Sequence, residues 1–363
     1  MSDCIIVGGG ISGLLVAREL AGAGLDVTLL ERGSTGREAS WAGGGILSPL
    51  VPWRADPAIT RLVGWSQAHY AALSADLAAQ TGIDPEWTPS GLLTLGGLDA
   101  EMALAWAQDA GQRLEALTPP EALEIEPALA HVGTCALWMP DVAQIRNPRL
   151  LRALRHAVEQ LGVRVQEDTE VRGIAVHDGR VRGVRTAQGR FEAPTVVVAG
   201  GAWTGQLLSG LRHAPAIGPV HGQMILFRAA PGRLRRIVIR DGRYLIPRRD
   251  GRVLAGSTVE FTGFDKRPTS AAHDELYDAA LALVPALAEA TVERHWAGLR
   301  PGAPAGVPYI GEHPEVAGLF INAGHYRNGL VLGPASAHLL ADLILGRAPI
   351  VDPAPYGFAA ARA

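Results

Sequence analysis

The chain has 363 residues, 48% hydrophobic and 19% charged, with a formal net charge of −3. This is enough apolar material for a large folded core, and it excludes a disordered chain. No basic surplus exists for nucleic acid or anionic lipid, and two cysteines, Cys4 and Cys135, exclude a disulfide framework or a cysteine-rich metal site.

Asp3, with no Lys or Arg before it, precedes the first apolar run, so the N-terminus does not read as a secretory signal. No run of about eighteen apolar residues is free of charge, so no membrane span is expected. Reduced cysteines then fit a cytoplasmic protein. Residues 5–7 form a short buried-strand run, broken by glycines 8–10; 12–20 reads as a helix closed by Gly22 and Gly24, and 27–30 as a second strand ending at Glu31. That is a βαβ unit, the building block of parallel sheets. Asp56-Pro57 and Asn147-Pro148 each read as an N-cap followed by proline at the first helical position. Ile59, Leu62, Val63, Tyr70, Leu73 and Leu77 follow the first at helical spacing; Leu151, Leu154 and Val158 follow the second, with Gly162 as a stop.

From 163 to 191 the period changes to two, with Asp178-Gly179 as a tight turn. A buried strand at 195–199 ends in Gly200-Gly201. Residues 220–300 are strand-like, with turns at Asp241-Gly242 and Asp250-Gly251 and a helix at 274–283. The last helix is expected from about Pro334 to Leu345, closed by Gly346. The fold class is α/β: a discontinuous nucleotide-binding domain at 1–80, 140–215 and 297–363, and a second domain with a large antiparallel sheet at 81–139 and 216–296.

Gly8, Gly10 and Gly13, with Ile11 and Ser12 between them, lie between the first strand and its helix, and the acidic Glu31 follows eighteen residues after Gly13. In such a loop the first glycine permits the turn, the second lets backbone approach a pyrophosphate, and the third lets helix pack on strand; the acid accepts hydrogen bonds from a ribose. A second glycine-rich segment, with Ala39 and Ser40 ahead of Gly43, Gly44, Gly45 and Ile46, suits a longer, bent ligand whose ring lies against backbone. That favours FAD over NAD. No second dinucleotide fingerprint and no Cys-x-x-Cys relay are present, so the electrons come from the substrate itself. His221, His273 and His295 lack metal-ligand spacing and read as structural; no metal is expected.

The fingerprint, the run Glu38-Ala39-Ser40-Trp41-Ala42-Gly43-Gly44-Gly45-Ile46-Leu47-Ser48-Pro49, the run Trp296-Ala297-Gly298-Leu299-Arg300-Pro301-Gly302 and the run Gly324-His325-Tyr326-Arg327-Asn328-Gly329-Leu330 together resemble the glycine oxidases, in the D-amino-acid oxidase group of FAD flavoproteins. The resemblance implies an FAD domain of the glutathione-reductase type and oxidative deamination of a small amine to an imine. Electrons pass to O2 to give H2O2, and in the thiamine pathway the imine from glycine feeds thiazole synthesis. It also implies a homotetramer. Positions matching the family assign the substrate to Arg300, Tyr244 and Arg327, and the cofactor to Gly8, Gly10, Ile11, Ser12, Gly13, Glu31, Arg32, Ala39, Ser40, Gly44, Gly45, Ile46, Val171, His325, Tyr326, Arg327, Asn328, Gly329, Leu330 and Val331. The residues agree on their own terms: a guanidinium offers parallel donors to a substrate carboxylate. Asn328-Gly329, ahead of the last helix, aims N–H groups where a reduced flavin gathers negative charge. No general base is assigned.

Covalent attachment is not expected, because no cysteine follows Cys135, where sarcosine oxidases of this superfamily link their flavin. Gly242 and Val259 stand where some relatives carry His and Met, leaving glycine, sarcosine, D-alanine and D-proline open as substrates. A quinone-linked D-amino-acid dehydrogenase on the same scaffold is the alternative reading.

Overall fold

A computed structural model describes residues 2–96 and 99–361. Two large sheets organise it. The first has six strands in the order Tyr309–Glu312, Leu319–Ala323, Thr195–Val198, Cys4–Val7, Val27–Leu30 and Arg164–Gln166. All neighbours are parallel except the pair Tyr309–Glu312 and Leu319–Ala323. Cys4–Val7 is buried along its whole length, which is why it reads as a continuous apolar run rather than an alternating one. The chain leaves it for Val27–Leu30 on one side and later returns as Thr195–Val198 on the other. Where strand order reverses in this way, a crevice opens beyond the carboxyl ends of the strands.

One face of this sheet packs on helices Ile11–Gly22, Pro57–Thr81, Asn147–Gln160 and Gly329–Leu345; the other packs under the meander Val171–His177, Arg180–Thr186, Gly189–Glu192. The meander's first turn is Asp178-Gly179, both at positive φ (49° and 67°), as the dipeptide predicts. The second sheet has eight strands, in the order Thr291–Gly302, Gly218–Arg228, Arg252–Gly256, Arg243–Pro247, Ile237–Arg240, Leu92–Leu95, Ala136–Met139 and Glu115–Leu117. It is antiparallel apart from the pair Ile237–Arg240 and Leu92–Leu95. Thr291–Gly302 runs unbroken through position 297, where the sequence suggests a domain division.

Two helix starts differ from expectation. Asp56 caps Pro57–Thr81 as expected, accepting from the Ala58 N–H at 2.7 Å. Asn147 instead begins its helix without capping it; its amide donates to the carbonyls of Ser40 (2.8 Å) and Gly43 (2.9 Å). The last helix starts at Gly329, not Pro334, and Pro334 lies inside it. An internal proline removes the N–H that would bond the carbonyl four residues earlier, here Leu330. That carbonyl is taken by the hydroxyl of the buried Tyr70, and the Ala335 N–H next to the proline donates to Ser66 Oγ at 3.0 Å. The helix Pro57–Thr81 thus repairs the break. The stretch Tyr326–Leu345 is long and apolar enough to cross a membrane, but most of it is buried inside the fold.

Tyr70→Phe leaves the half-buried Leu330 carbonyl without this donor and is expected to lower stability by about 1–3 kcal/mol in urea unfolding. In a Pro334→Ala background, where a backbone N–H is restored, the same change is expected to cost less; equal losses in both backgrounds would remove the proline from this account.

Candidate cofactor and substrate site

The fingerprint glycines are there for steric reasons. A Cβ on Gly13 would sit 1.9 Å from the Gly8 carbonyl oxygen, and one on Gly8, whose φ is +111°, would sit 2.4 Å from the Ala199 oxygen. Helix and neighbouring strand can therefore close on the turn only if both positions are bare. Glu31 is fixed by the N–H groups of Gly9 (2.7 Å) and Gly33 (3.0 Å) and lines the cavity beside them. Ser40 Oγ accepts from the Ile11 N–H at 3.0 Å, tying the second glycine-rich segment to the first.

From this turn a cavity of about 490 Å³ runs to the eight-stranded sheet. Of the expected cofactor residues, Gly8, Gly10, Ile11, Ser12, Glu31, Arg32, Ala39, Ser40, Gly44, Val171, His325, Tyr326, Arg327, Gly329 and Leu330 line it. So do the expected substrate residues Arg300, Tyr244 and Arg327. Helices Ile11–Gly22 and Gly329–Leu345 both open on it with their N-terminal ends, and neither has an acidic residue in its first turn. Both macrodipoles therefore favour negative charge there.

Five expected residues stand behind the wall. Gly13 packs helix on strand, and Gly45 (φ +79°) would put a Cβ 2.1 Å from the Ile145 oxygen. Ile46 and Val331 are core residues, and Asn328 closes the turn Tyr326–Asn328, donating its N–H to the His325 carbonyl at 2.9 Å.

At the far end the Arg300 guanidinium is largely buried. Nη1 donates to the carbonyls of His221 (3.3 Å) and Thr258 (3.2 Å), and Nη2 donates to Ser257 Oγ (2.7 Å). Among the described residues no carboxylate lies within ion-pair distance of it. Burial lowers its pKa, the Tyr244 hydroxyl beside it offsets part of that, and Arg327 adds repulsion; an arginine nonetheless stays charged. Room for the guanidinium comes from Gly222, where a Cβ would lie 2.0 Å from Nη1. Tyr244 is buried, its hydroxyl 3.8 Å from Met224 Sδ, and its ring fills space left by Gly44 and Gly256. Arg327 is exposed, its Cζ 5.4 Å from the Tyr326 ring centre. His325 is buried and its pKa is pushed down to about 4 by desolvation, so it is neutral at pH 7; its Nε2 has no hydrogen-bond partner among the described residues.

Several contributors are not legible in the sequence. Arg248, its pKa lowered to about 10 by burial, donates to Gly44 O (2.7 Å), Gln144 Oε1 (2.7 Å) and Ile145 O (3.1 Å), holding the glycine-rich segment from below. Trp203 lies under the Arg32 guanidinium, 3.5 Å from ring centre to Cζ. Met224 and Gly222 join the cavity wall from the second sheet. Among the described residues no group of three or more His, Cys, Asp or Glu could hold a metal ion.

A glycine turn at a switch point, a fixed acid at the end of the second strand and a second sheet closing the cavity define a dinucleotide-dependent oxidoreductase of the flavin type. The family model described as FAD dependent oxidoreductase (DAO) matches residues 3–343. The chain is 52% identical over 353 residues, 97% of each chain, to glycine oxidase of Pseudomonas aeruginosa, and 48% identical over the same length to that of Pseudomonas putida, again 97% of each. It is 35% identical to the bifunctional protein ThiO/ThiG of a Synechocystis species, covering 95% of this chain and 52% of that one. The solved structure of glycine oxidase from Geobacillus kaustophilus superposes with a TM-score of 0.94 at 34% identity, covering 98% of both chains. The chain belongs to the DAO family of FAD-dependent oxidoreductases. Its residues fit that cofactor: Glu31 is placed for a ribose, the bare turn at Gly8 to Gly13 for the pyrophosphate, and the segment around Gly44 for the ring.

Gly222→Ala is expected to push the guanidinium aside and raise the substrate KM by about tenfold or more while FAD content is retained; an unchanged KM would show that this glycine does not set the arginine's position. His325 gives a pH signature. The unfolded histidine takes up a proton below about pH 6.5, whereas the folded one does so only near 4. Stability of the FAD-free protein is therefore expected to fall as pH drops through that window, by up to about 3 kcal/mol from this group. His325→Gln should flatten that component in urea unfolding at pH 7, 6, 5 and 4.

Proposed function

We propose that this chain oxidatively deaminates glycine, and sarcosine or small D-amino acids with it, using noncovalent FAD and O2 and producing the imine and H2O2. The observation that carries this reading is the largely buried Arg300, a cation that among the described residues is held by neutral oxygens at the end of the FAD cavity. A small carboxylate is the charge such a site lacks. Arg300 binds that carboxylate through the guanidinium N–H groups not given to His221, Thr258 and Ser257, the Tyr244 hydroxyl takes the other oxygen, and Arg327 adds positive potential from the exposed side. Bound FAD supplies the two-electron acceptor and returns its electrons to O2.

The chain's own part is alignment and dryness. Arg300 and Tyr244 fix one end of the substrate, and Met224 and the backbone at Gly44 and Gly298 exclude water around the rest. The substrate enters as the free amine, so no side chain is required as general base. Loss of two electrons and two protons from the amine gives the imine, which hydrolyses to glyoxylate and ammonia unless a thiazole-forming step of thiamine synthesis consumes it. The names of the relatives, including the one that joins two activities in one chain, support this placement. The family resemblance also supports a cytoplasmic homotetramer, with the cofactor domain at 1–80, 140–215 and 297–363 and the substrate domain at 81–139 and 216–296. Glu31, Arg32, Gly45, Ile46, Val171, Asn328 and Val331 act toward FAD, the buried ones by shaping the segments that touch it.

Anaerobic mixing with glycine, sarcosine, D-alanine and D-proline is expected to bleach the flavin, fastest with glycine, and under air one H2O2 should form per imine. Bleaching without H2O2 under air would instead indicate a quinone-linked dehydrogenase. Arg300→Ala is expected to raise the amino-acid KM by orders of magnitude, in line with about 2–5 kcal/mol for a buried charge pair; a KM near wild type would take Arg300 out of the site.

A further inference from the structure

Between the strand Arg252–Gly256 and the helix Ser270–Leu283, the second sheet sends out a loop whose two feet are pinned on the strand Gly218–Arg228. At one foot Glu260 and His221 exchange backbone hydrogen bonds (Glu260 N–H to His221 O at 3.0 Å, His221 N–H to Glu260 O at 2.9 Å). At the other, the Thr269 N–H donates to Gln223 Oε1 at 2.8 Å. Residues 261–268 between the feet do not join the sheet that anchors them. They reach across to the cofactor-binding half and touch it twice. Lys266 Nζ bonds both carboxylate oxygens of Glu38, at 3.0 and 3.1 Å, and Phe264 stacks on Trp203 with ring centres 5.4 Å apart. Glu38 is also paired with Arg32 at 2.7 Å, and the Arg32 guanidinium lies over the Trp203 ring. The contacts therefore close a circuit from Lys266 through Glu38, Arg32 and Trp203 to Phe264.

Glu38, Arg32 and Trp203 all line the FAD cavity, and they come from different walls: Arg32 and Glu38 from the segment after Val27–Leu30, Trp203 from the turn after Thr195–Val198. Lys266 and Phe264 thus touch side chains from both of these walls. We propose that Phe264 and Lys266 are cofactor-positioning residues: the loop latches the two walls together and holds FAD in, acting through Glu38 and Trp203 rather than by touching the reacting atoms. The side chains show the commitment. Phe264 remains 43% exposed, so burial of its own surface gives it little reason to sit there, and the partly exposed Lys266 spans from one sheet's loop to the other's wall. The inference rests on the FAD site alone and does not depend on which amine is oxidised.

The test is the rate of FAD release from holoenzyme diluted into FAD-free buffer, followed by recovery of free-flavin fluorescence. An exposed ion pair and a half-exposed ring stack are each modest interactions. Lys266→Ala and Phe264→Ala are each expected to speed release about two- to fivefold, and the double variant about tenfold. Because the pair is exposed to solvent, raising NaCl from about 0.05 to 0.5 M should speed release from wild type but much less from Lys266→Ala. Lys266→Arg, which keeps the charge, should restore both the rate and the salt response, an outcome that a merely structural role for the lysine stem would not give. A double variant releasing FAD at the wild-type rate, or a salt response equal in wild type and Lys266→Ala, overturns the proposal.

Discussion

A guanidinium taken out of water needs compensation, and among the described residues Arg300 receives it from uncharged groups: two backbone carbonyls, a serine hydroxyl and the hydroxyl of Tyr244. Burying an unpaired charge is unfavourable by several kcal/mol, and breaking into such a site from either side is more unfavourable still. The arrangement is tolerable because the acceptors are held in place by the backbone: His221 on a paired strand, and Ser257 and Thr258 in the segment just after the strand Arg252–Gly256. His221 and Arg300 lie on adjacent antiparallel strands, and Gly222 leaves a gap for the side chain where any other residue would fill it. The positive charge is thus built into the edge of the sheet, facing the cavity.

That constraint explains the division of labour between the two sheets. Much of the cofactor side is backbone: bare glycines, two helix N-termini, and carbonyls steered by Arg248 and Asn147, with side chains such as Glu31, Arg32 and Trp203 at its edge. Backbone recognition tolerates changes in neighbouring side chains but not the addition of a Cβ, so this half is specified by what is absent. The wall from the second sheet is specified by what is present, Arg300 and Tyr244, carried on strands rather than loops, where packing holds a side chain to a narrow range of positions. Selectivity and cofactor retention can then vary separately within one scaffold.

Much of this was legible in the sequence because it depends on local rules. The turn at Gly8 to Gly13, the acid at Glu31, the Asp-Gly hairpin turns and the Asp56 cap each follow from the conformational needs of a few consecutive residues. What was not legible depends on residues distant in sequence. Pro334 looks like a helix start, because a helix rarely accepts an internal proline; the hydroxyl of Tyr70 and the Oγ of Ser66, more than 250 residues away, make it acceptable here. Asn147 looks like a cap because its chain context is right, yet it lies one residue inside the helix, and its amide N–H groups go to the carbonyls of Ser40 and Gly43, more than 100 residues away. Strands Leu92–Leu95 and Ala136–Met139 are four residues each and buried throughout, so they have no period to detect. Arg248 is an arginine among many, and nothing nearby in the chain marks it as the support for Gly44.

The same reasoning bears on why Tyr244, rather than a smaller hydroxyl, stands beside Arg300. Its ring occupies space left open by Gly44 of the cofactor half and Gly256 of its own sheet, so one side chain both fills the seam between the halves and delivers a hydroxyl to the guanidinium. A serine or threonine at the same backbone position would leave that seam hollow, and a void of this kind loses packing contacts on every face. A phenylalanine would keep the seam filled but withdraw the oxygen that offsets the burial of Arg300. The glycines at 44 and 256 and the tyrosine at 244 are therefore a single solution to one steric and one electrostatic demand, and a change at any of the three disturbs either the packing of the seam or the setting of the Arg300 charge.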